Sequence, residues 1–214
     1  MAAQYDVRCF ETMGRRTTCR KGEPLVRAGL HPDACYYVTR GCAISCEVDE
    51  NGYTRCWGIH GPGSLVLCEE MFSDRQLAAD LVPVTDCELL RMERTAFLAA
   101  VRQDSVLRLY VLQTLSQHYL DAVDDLRRAT TQTIDKRLCG LLLSMAGPYA
   151  RDEDSEVLIG EAFSQKTIAI MLNANRITIT RTMQKLREAG LLRPSRNQHY
   201  RIASLRQLRA YMEA

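Results

Sequence analysis

Between residues 15 and 90, short apolar runs alternate with turn chemistry. The runs CYYVT, CAISCEV, YTRCWGI and CELLRM are set among RKGE, GLHPD, TRG, DENG and HGPGS. Turn signals at a spacing of roughly 8–12 residues predict short antiparallel strands of a sandwich or barrel, with DENGYT as a hairpin turn. From Glu93 the period becomes helical, first in ERTAFLAAVRQ and then in a long segment from Asp104 to Thr131. Leu112, Leu115, Tyr119, Ala122, Leu126 and Ala129 recur there at alternating steps of three and four, the seam of a short coiled coil. That seam is narrower than the stripe a globular core wants, so it predicts a homodimer helix. His118 flanks the seam and is expected to be solvated or locally bonded. RRATTQT then breaks the period and predicts a hinge near residues 129–133. IDKRLCGLLLSMAGP predicts a fresh helix that stops at Gly147-Pro148 by the C-cap rule.

The stretch NANRITITR, residues 173–181, has two readings. Ile177, Thr178, Ile179 and Thr180 alternate apolar and polar with a β-branch at each position, as a half-buried strand does. The flanks favour a helix. Ser164 is a suitable N-cap for QKTIAIML, in which Ile168, Met171 and Leu172 form one apolar face. Asn173 tolerates the left-handed turn conformation, and Asn175 can cap the next helix. Ile179, Met183 and Leu186 continue a helical period up to Gly190, so two helices joined by three residues predict a helix-turn-helix. Arg176, Ile177, Thr180, Arg181 and Gln184 fall on the opposite face. A DNA major groove would use them: Arg can fork onto guanine, Ile can meet a thymine methyl, and Thr can bond phosphate or a base edge. LLRPSRNQHYRIA follows as two short strands and a turn, the wing of a winged helix.

Charge sharpens this picture. The net charge of the 214 residues is only +2, but residues 161–214 hold 10 Lys+Arg against 3 Asp+Glu, leaving 18 against 23 for the rest. A basic C-terminal module on an acidic body is the footprint of polyanion binding. Nine cysteines could suggest disulfides or a metal. No basic-then-apolar leader opens the chain, and LCGLLLSMAG is about half a membrane span, which predicts a cytoplasmic, reducing location without membrane contact. Cys42 and Cys46 share a strand face about 13 Å apart, too far for one ion. No C-x-x-C occurs. The cysteines are therefore expected to be structural thiols. The chain lacks an H-x-H cluster, a Ser/His/Asp order and a Gly-rich phosphate loop, so it is not expected to be an enzyme.

Two segments carry a family resemblance. FSQKTIAIMLNANRITITRTMQKLREAGLL resembles the DNA-binding segment of the cAMP receptor protein / fumarate-nitrate regulator (CRP/FNR) superfamily, and EPLVRAGLHPDACYYVTRGCAISCEVDENGYT is similar to its cyclic-nucleotide-binding-type β-roll. The resemblance implies an α+β chain: an N-terminal antiparallel β-roll of the jelly-roll type over 1–103, a dimerisation helix and hinge over 104–131, and a winged helix-turn-helix over 132–214. It implies an effector-controlled homodimeric transcription factor with double-stranded DNA, a second copy of itself, a small-molecule effector and RNA polymerase as partners. By the same resemblance Arg176 and Arg181, with Ile177 and Thr180 beside them, fall on base-contacting positions. Ser164, Lys166, Asn175 and Thr178 fall on or beside phosphate-contacting ones. Ile177 departs from the Glu that many relatives carry.

The effector positions depart further. Where cAMP-binding relatives have Gly-Glu for the ribose and Arg-Ser or Arg-Thr for the phosphate, this chain has Leu67-Cys68 and Leu77-Ala78. A cyclic phosphate there would lack its charge partner. Leu67, Cys68, Met71, Phe72, Leu77 and Ala78, closed by His118, Tyr119 and Ala122, are expected to form an apolar pocket for a small hydrophobic or aromatic molecule. SQK followed by an apolar residue at the Glu position is similar to regulators of reductive dehalogenation. No cofactor and no metal ligands are expected. The alternative within the family is a redox, haem or gas sensor using Cys68, His60 or His118.

Overall fold

The computed structural model describes residues 7–159, 163–193 and 199–213, and the chain divides into two compact units, residues 1–124 and 125–214. The first holds α1 (Val7–Met13), β1 (Arg15–Cys19), β2 (Ala34–Arg40), β3 (Ala43–Val48), β4 (Thr54–His60), β5 (Leu65–Val66), β6 (Asp80–Pro83), β7 (Cys87–Glu93), α2 (Arg94–Gln103) and most of α3 (Ser105–Thr131). Its strands form a four-stranded sheet in the order β1-β7-β2-β5 and a three-stranded sheet β4-β3-β6, with every pairing antiparallel.

The apolar run of β2 and the largely apolar β7, which Glu88 and Arg91 interrupt, have a direct explanation. Both strands are covered on both faces. On one side Cys35, Tyr37, Leu90 and Met92 pack with Phe10 of α1, Phe97 and Val101 of α2, and Leu107 and Val111 of α3. On the other, Ala34, Tyr36, Val38, Cys87 and Leu89 pack with Ala43 of β3 and Leu81 of β6, so this second cluster is shared by the two sheets. Alternation of side chains along each strand sends successive residues to opposite cores. Gly41 makes the turn from β2 to β3 at φ +86°, where a Cβ would come within 2.2 Å of the Asp86 carbonyl oxygen. The DENGYT hairpin is present between β3 and β4: Asp49 Oδ1 accepts from the backbone N–H of Asn51 and Tyr53 at 3.0 and 2.9 Å, and Gly52 is left-handed. β4 is an edge strand of its sheet and carries an exposed Trp57.

Three strands of this unit lie outside the sequence reading. β1 is polar and mostly exposed, β5 has two residues, and β6 ends at Pro83. None has the alternation or the apolar length that marks a strand. α3 starts at a clear cap, with Asp104 Oδ1 accepting from the backbone N–H of Val106 at 2.8 Å and Leu107 at 3.2 Å. It then runs unbroken through Thr131, so residues 129–131 of the expected hinge are helical and the break before the next helix falls at residues 132 and 133.

The second unit holds the end of α3, α4 (Ile134–Ala146), β8 (Val157–Leu158), α5 (Gln165–Met171), α6 (Arg176–Glu188), β9 (Leu192–Arg193), β10 (Arg201–Ile202) and α7 (Leu205–Glu213). Its sheet has the order β8-β10-β9. Leu138, Leu142, Ile159, Ile168, Ile179, Met183, Leu186, Ile202 and Leu208 are fully buried. α4 stops at Gly147-Pro148 as predicted, though not through a left-handed glycine: Gly147 is right-handed at φ −47° and the chain passes into a single 3-10 turn, Gly147–Tyr149. The wing strands β9 and β10 pair as predicted, β8 adds a third strand to them, and the turn at 194–198 lies outside the described residues.

Candidate functional site

The C-terminal site is built from local signals. Ser164 Oγ accepts from the backbone N–H of Thr167 at 3.0 Å and starts α5. Asn173 takes φ +49°, and Asn175 Oδ1 accepts from the backbone N–H of Ile177 at 2.8 Å to start α6. Ile179, Thr182, Met183 and Leu186 of α6 are buried. Arg176, Ile177, Thr178, Thr180, Arg181 and Gln184 are exposed, with Ile177 at 62%. A β-branched apolar side chain held that open at the start of a helix is available to a groove. Thr180 is partly committed, since its hydroxyl lies 2.7 Å from Gln165 Oε1 and 3.0 Å from the Arg176 carbonyl oxygen.

Among the expected phosphate contacts, Lys166 and Thr178 are open. The Ser164 hydroxyl is half-buried and already engaged with Thr167, so it shapes the start of α5 before it can meet a phosphate. The Asn175 carbonyl oxygen is the cap, which leaves its amide N–H groups for an anion. The sequence reading missed Asp135 of α4. It accepts from Thr182 Oγ1 at 3.1 Å and pairs with Lys185, whose pKa the carboxylate raises to about 12. Arg137, also on α4, donates to the Leu172 carbonyl oxygen at 2.6 Å. These bonds fasten both helices of the motif to α4.

The N-terminal site is assembled from distant segments. Leu67 and Leu77 are buried in the cluster shared by the two sheets, whereas Cys68 and Met71 are buried in the cluster against α1, α2 and α3. Phe72, Ala78, Tyr119 and Ala122 are exposed, and His118 is half-buried. Leu67 stands at φ +62°, a left-handed conformation that is costly for a γ-branched residue and that burial on its flanks holds in place. That kink lets neighbouring residues serve opposite cores and brings Cys68 and Glu69 towards α3.

There Glu69 is the meeting point. One carboxylate oxygen pairs with His118 Nδ1, and the other accepts from Cys68 Sγ at 3.4 Å. The hydrogen bond to Glu69 raises the His118 pKa against the effect of its burial. Burial works to raise the Glu69 pKa, but the His118 hydrogen bond and neighbouring donors bring it below the ordinary value. Burial, and then the Glu69 charge, push the Cys68 thiol far up. His60 of β4 is half-buried with Nε2 2.8 Å from Ser45 Oγ, and burial together with the charge of His118 lowers its pKa to about 4. Gly58 leaves room for that ring, since a Cβ there would sit 3.1 Å from it. Glu69 was missed by the sequence reading. The signal was present, as two carboxylates follow directly on the buried run LVLC.

The Cys68 sulfur, a Glu69 carboxylate oxygen and a His118 ring nitrogen all lie within 4.8 Å of one another, the one such group of three potential metal-ligating residues among the described residues. Cys19, Cys35, Cys42, Cys46, Cys56, Cys68, Cys87 and Cys139 form no disulfides, and all of these but Cys19 are buried. No helix among the described residues is long and apolar enough to cross a membrane.

Comparison with known proteins bears on both halves. The cyclic nucleotide-binding domain family matches residues 16–104, and the Crp-like helix-turn-helix domain family matches residues 136–211. A cyclic AMP receptor protein from Thermus thermophilus is 23% identical over 177 residues, covering 81% of this chain and 77% of the relative. In fold, the chain is similar to FixK2 from Bradyrhizobium japonicum at a TM-score of 0.80 and 17% identity, covering 92% of this chain and 96% of that one. It is also similar to CprK complexed with OCPA, at a TM-score of 0.67 and 14% identity, covering 96% and 92%. A nucleotide-binding-type roll followed in order by a Crp-like helix-turn-helix, with the recognition face open and capped, places the chain in the CRP/FNR superfamily of transcriptional regulators.

Proposed function

We propose that the chain acts as a homodimeric, ligand-responsive transcription factor that reads palindromic promoter DNA with α6 and answers to a small non-nucleotide effector. The observation that carries the DNA reading is the division of α6: one face is fully buried, and the other exposes Arg176, Ile177, Thr180 and Arg181. Two such helices on a symmetric dimer would read half-sites about one helical turn, roughly 34 Å, apart. Dimerisation is supported by α3, where Leu112, Tyr119 and Leu126 of the coiled-coil seam are 55%, 69% and 68% exposed. A seam of that kind on a long helix is stabilised when a second copy covers it.

The non-nucleotide reading rests on chemistry: Leu77 and Ala78 offer a cyclic phosphate no cation, and buried Leu67 and Cys68 offer a ribose no carboxylate. Apolar side chains at these positions fit a small hydrophobic or aromatic effector instead. Such a molecule would contact the exposed Phe72 and Tyr119. A second reading of control, redox, haem or gas sensing through Cys68, His60 or His118, is favoured by the meeting of Cys68 and His118 at Glu69.

Selection of bound sequences from random duplex DNA, with sedimentation equilibrium on the same preparation, tests the proposal. A dimer selecting an inverted repeat is the expected result. A monomer, or unselected DNA, overturns it. Calorimetry with cAMP and cGMP should show no binding, and a micromolar dissociation constant for either would refute the non-nucleotide effector.

A further inference from the structure

We propose that Cys68, Glu69 and His118 form a site for a single divalent transition-metal ion of the zinc class, joining the segment after β5 to α3. The three side chains supply a sulfur, a carboxylate oxygen and an imidazole nitrogen within 4.8 Å of one another. Tetrahedral zinc with bonds of about 2.0–2.3 Å places its ligands about 3.5 Å apart, so the three atoms have to close by little more than about 1 Å to hold one ion. A mixture of thiolate, imidazole and carboxylate selects zinc-class ions over magnesium or calcium, which take oxygen alone.

Two neighbouring features favour an ion over a closed hydrogen-bond triad. Glu70 Oε2 is buried without a hydrogen-bond partner, and a buried unpartnered carboxylate oxygen lacks the positive charge that would stabilise it. Leu67 holds a left-handed backbone immediately before Cys68, and strain of this kind clusters where a chain must present side chains to a ligand. Binding converts the Cys68 thiol to thiolate and frees His118 from its pairing with Glu69, and the displaced protons pass to solvent. No electron is transferred.

His118 lies one residue before the seam position Tyr119, so an occupied site would clamp α3 to the roll beside the exposed apolar stripe. The inference does not depend on DNA binding or on the effector. Its readout is the metal itself.

The test uses the full chain, purified under reducing conditions, stripped with chelator and titrated with Co2+ and then Zn2+. The expected result is a near-ultraviolet thiolate-to-cobalt charge-transfer band that saturates at one ion per chain and is displaced by zinc. Cys68→Ser should abolish the band. Glu69→Gln and His118→Gln should keep it with affinity weakened by more than the roughly 10- to 100-fold that loss of a residue merely supporting a ligand costs. Cys35→Ser, whose buried thiol belongs to the same core, serves as the folding control and should leave the band unchanged. No band in the wild type, a band that survives Cys68→Ser, or a band insensitive to Glu69→Gln and His118→Gln overturns the proposal. Circular dichroism of each variant separates loss of the site from loss of the fold.

Discussion

The two candidate sites of this chain are built in opposite ways. The DNA face lies within 25 consecutive residues, from Ser164 to Glu188, and each feature that shapes it has a local cause: a serine cap, a left-handed asparagine, an asparagine cap and a buried period of three and four. The cluster around Glu69 joins residues 49 positions apart, and the nearby His60 comes from a third segment. A local site is robust to everything except its own caps and core. A distant one depends on the whole roll holding its register.

Four measurements bear on that contrast, in descending order of expected size. Ile179→Ala empties a fully buried position of α6 and should lower the stability of the second unit by about 2–5 kcal/mol, read by chemical denaturation. Ile177→Ala, two residues away and exposed, should leave the midpoint within about 0.5 kcal/mol while weakening DNA binding. If the two behave alike, the division of α6 into buried and reading faces is wrong.

The second measurement concerns the distant site. His60 has a pKa lowered to about 4 from an ordinary value near 6.5, chiefly by burial, with His118 adding to the shift and Glu69 opposing it. The unfolded chain therefore binds a proton in this window that the folded chain refuses. In chelator-stripped protein, stability should fall as pH drops from about 6.5 to about 4, by roughly 2 kcal/mol from this group alone, with nothing further lost below that. His118 acts in the opposite sense: its raised pKa gives stability that is present at low pH and is lost as pH rises through its folded value. His60→Gln should flatten the acid limb, and an unchanged limb would remove His60 from the balance.

Arg181→Ala should cost about 1–3 kcal/mol of specific DNA affinity and relax sequence preference at one position. Lys166→Ala should weaken all sequences alike and lower the salt slope by about one unit. Anisotropy titrations at several salt concentrations distinguish the two. The smallest effect is expected for Ser164→Ala. Loss of its cap on α5 should lower stability by about 1 kcal/mol, and a change well below that would show that Thr167 carries the cap region alone.

The same contrast explains what could be read in the sequence. Caps and periods are statements about neighbours, so α6 was legible despite its run of β-branched residues, because Ile179, Met183 and Leu186 outweigh the four-residue alternation. The long runs of β2 and β7 were legible as strands. Their burial on two faces was not, since it depends on α1, α2 and α3 arriving from elsewhere. Glu69 was passed over because a carboxylate becomes informative only once a partner is known, and His118 is placed beside it by the path of α3 across the roll. Leu67 is the sharpest case. Nothing in its residue type announces a left-handed backbone, which here is imposed by two cores that claim its neighbours.

The chain has one tryptophan, Trp57, and it lies 63% exposed on β4, an edge strand of the β4-β3-β6 sheet. Its emission should therefore be that of a water-exposed indole in the native state and change little in wavelength on unfolding. The fluorophore is also confined to the first unit, so a fluorescence melt is blind to the helix-turn-helix. A molecule built as two compact units needs an optical label on α4 or α7, or far-ultraviolet dichroism, before a single-transition melting curve can be taken to describe both.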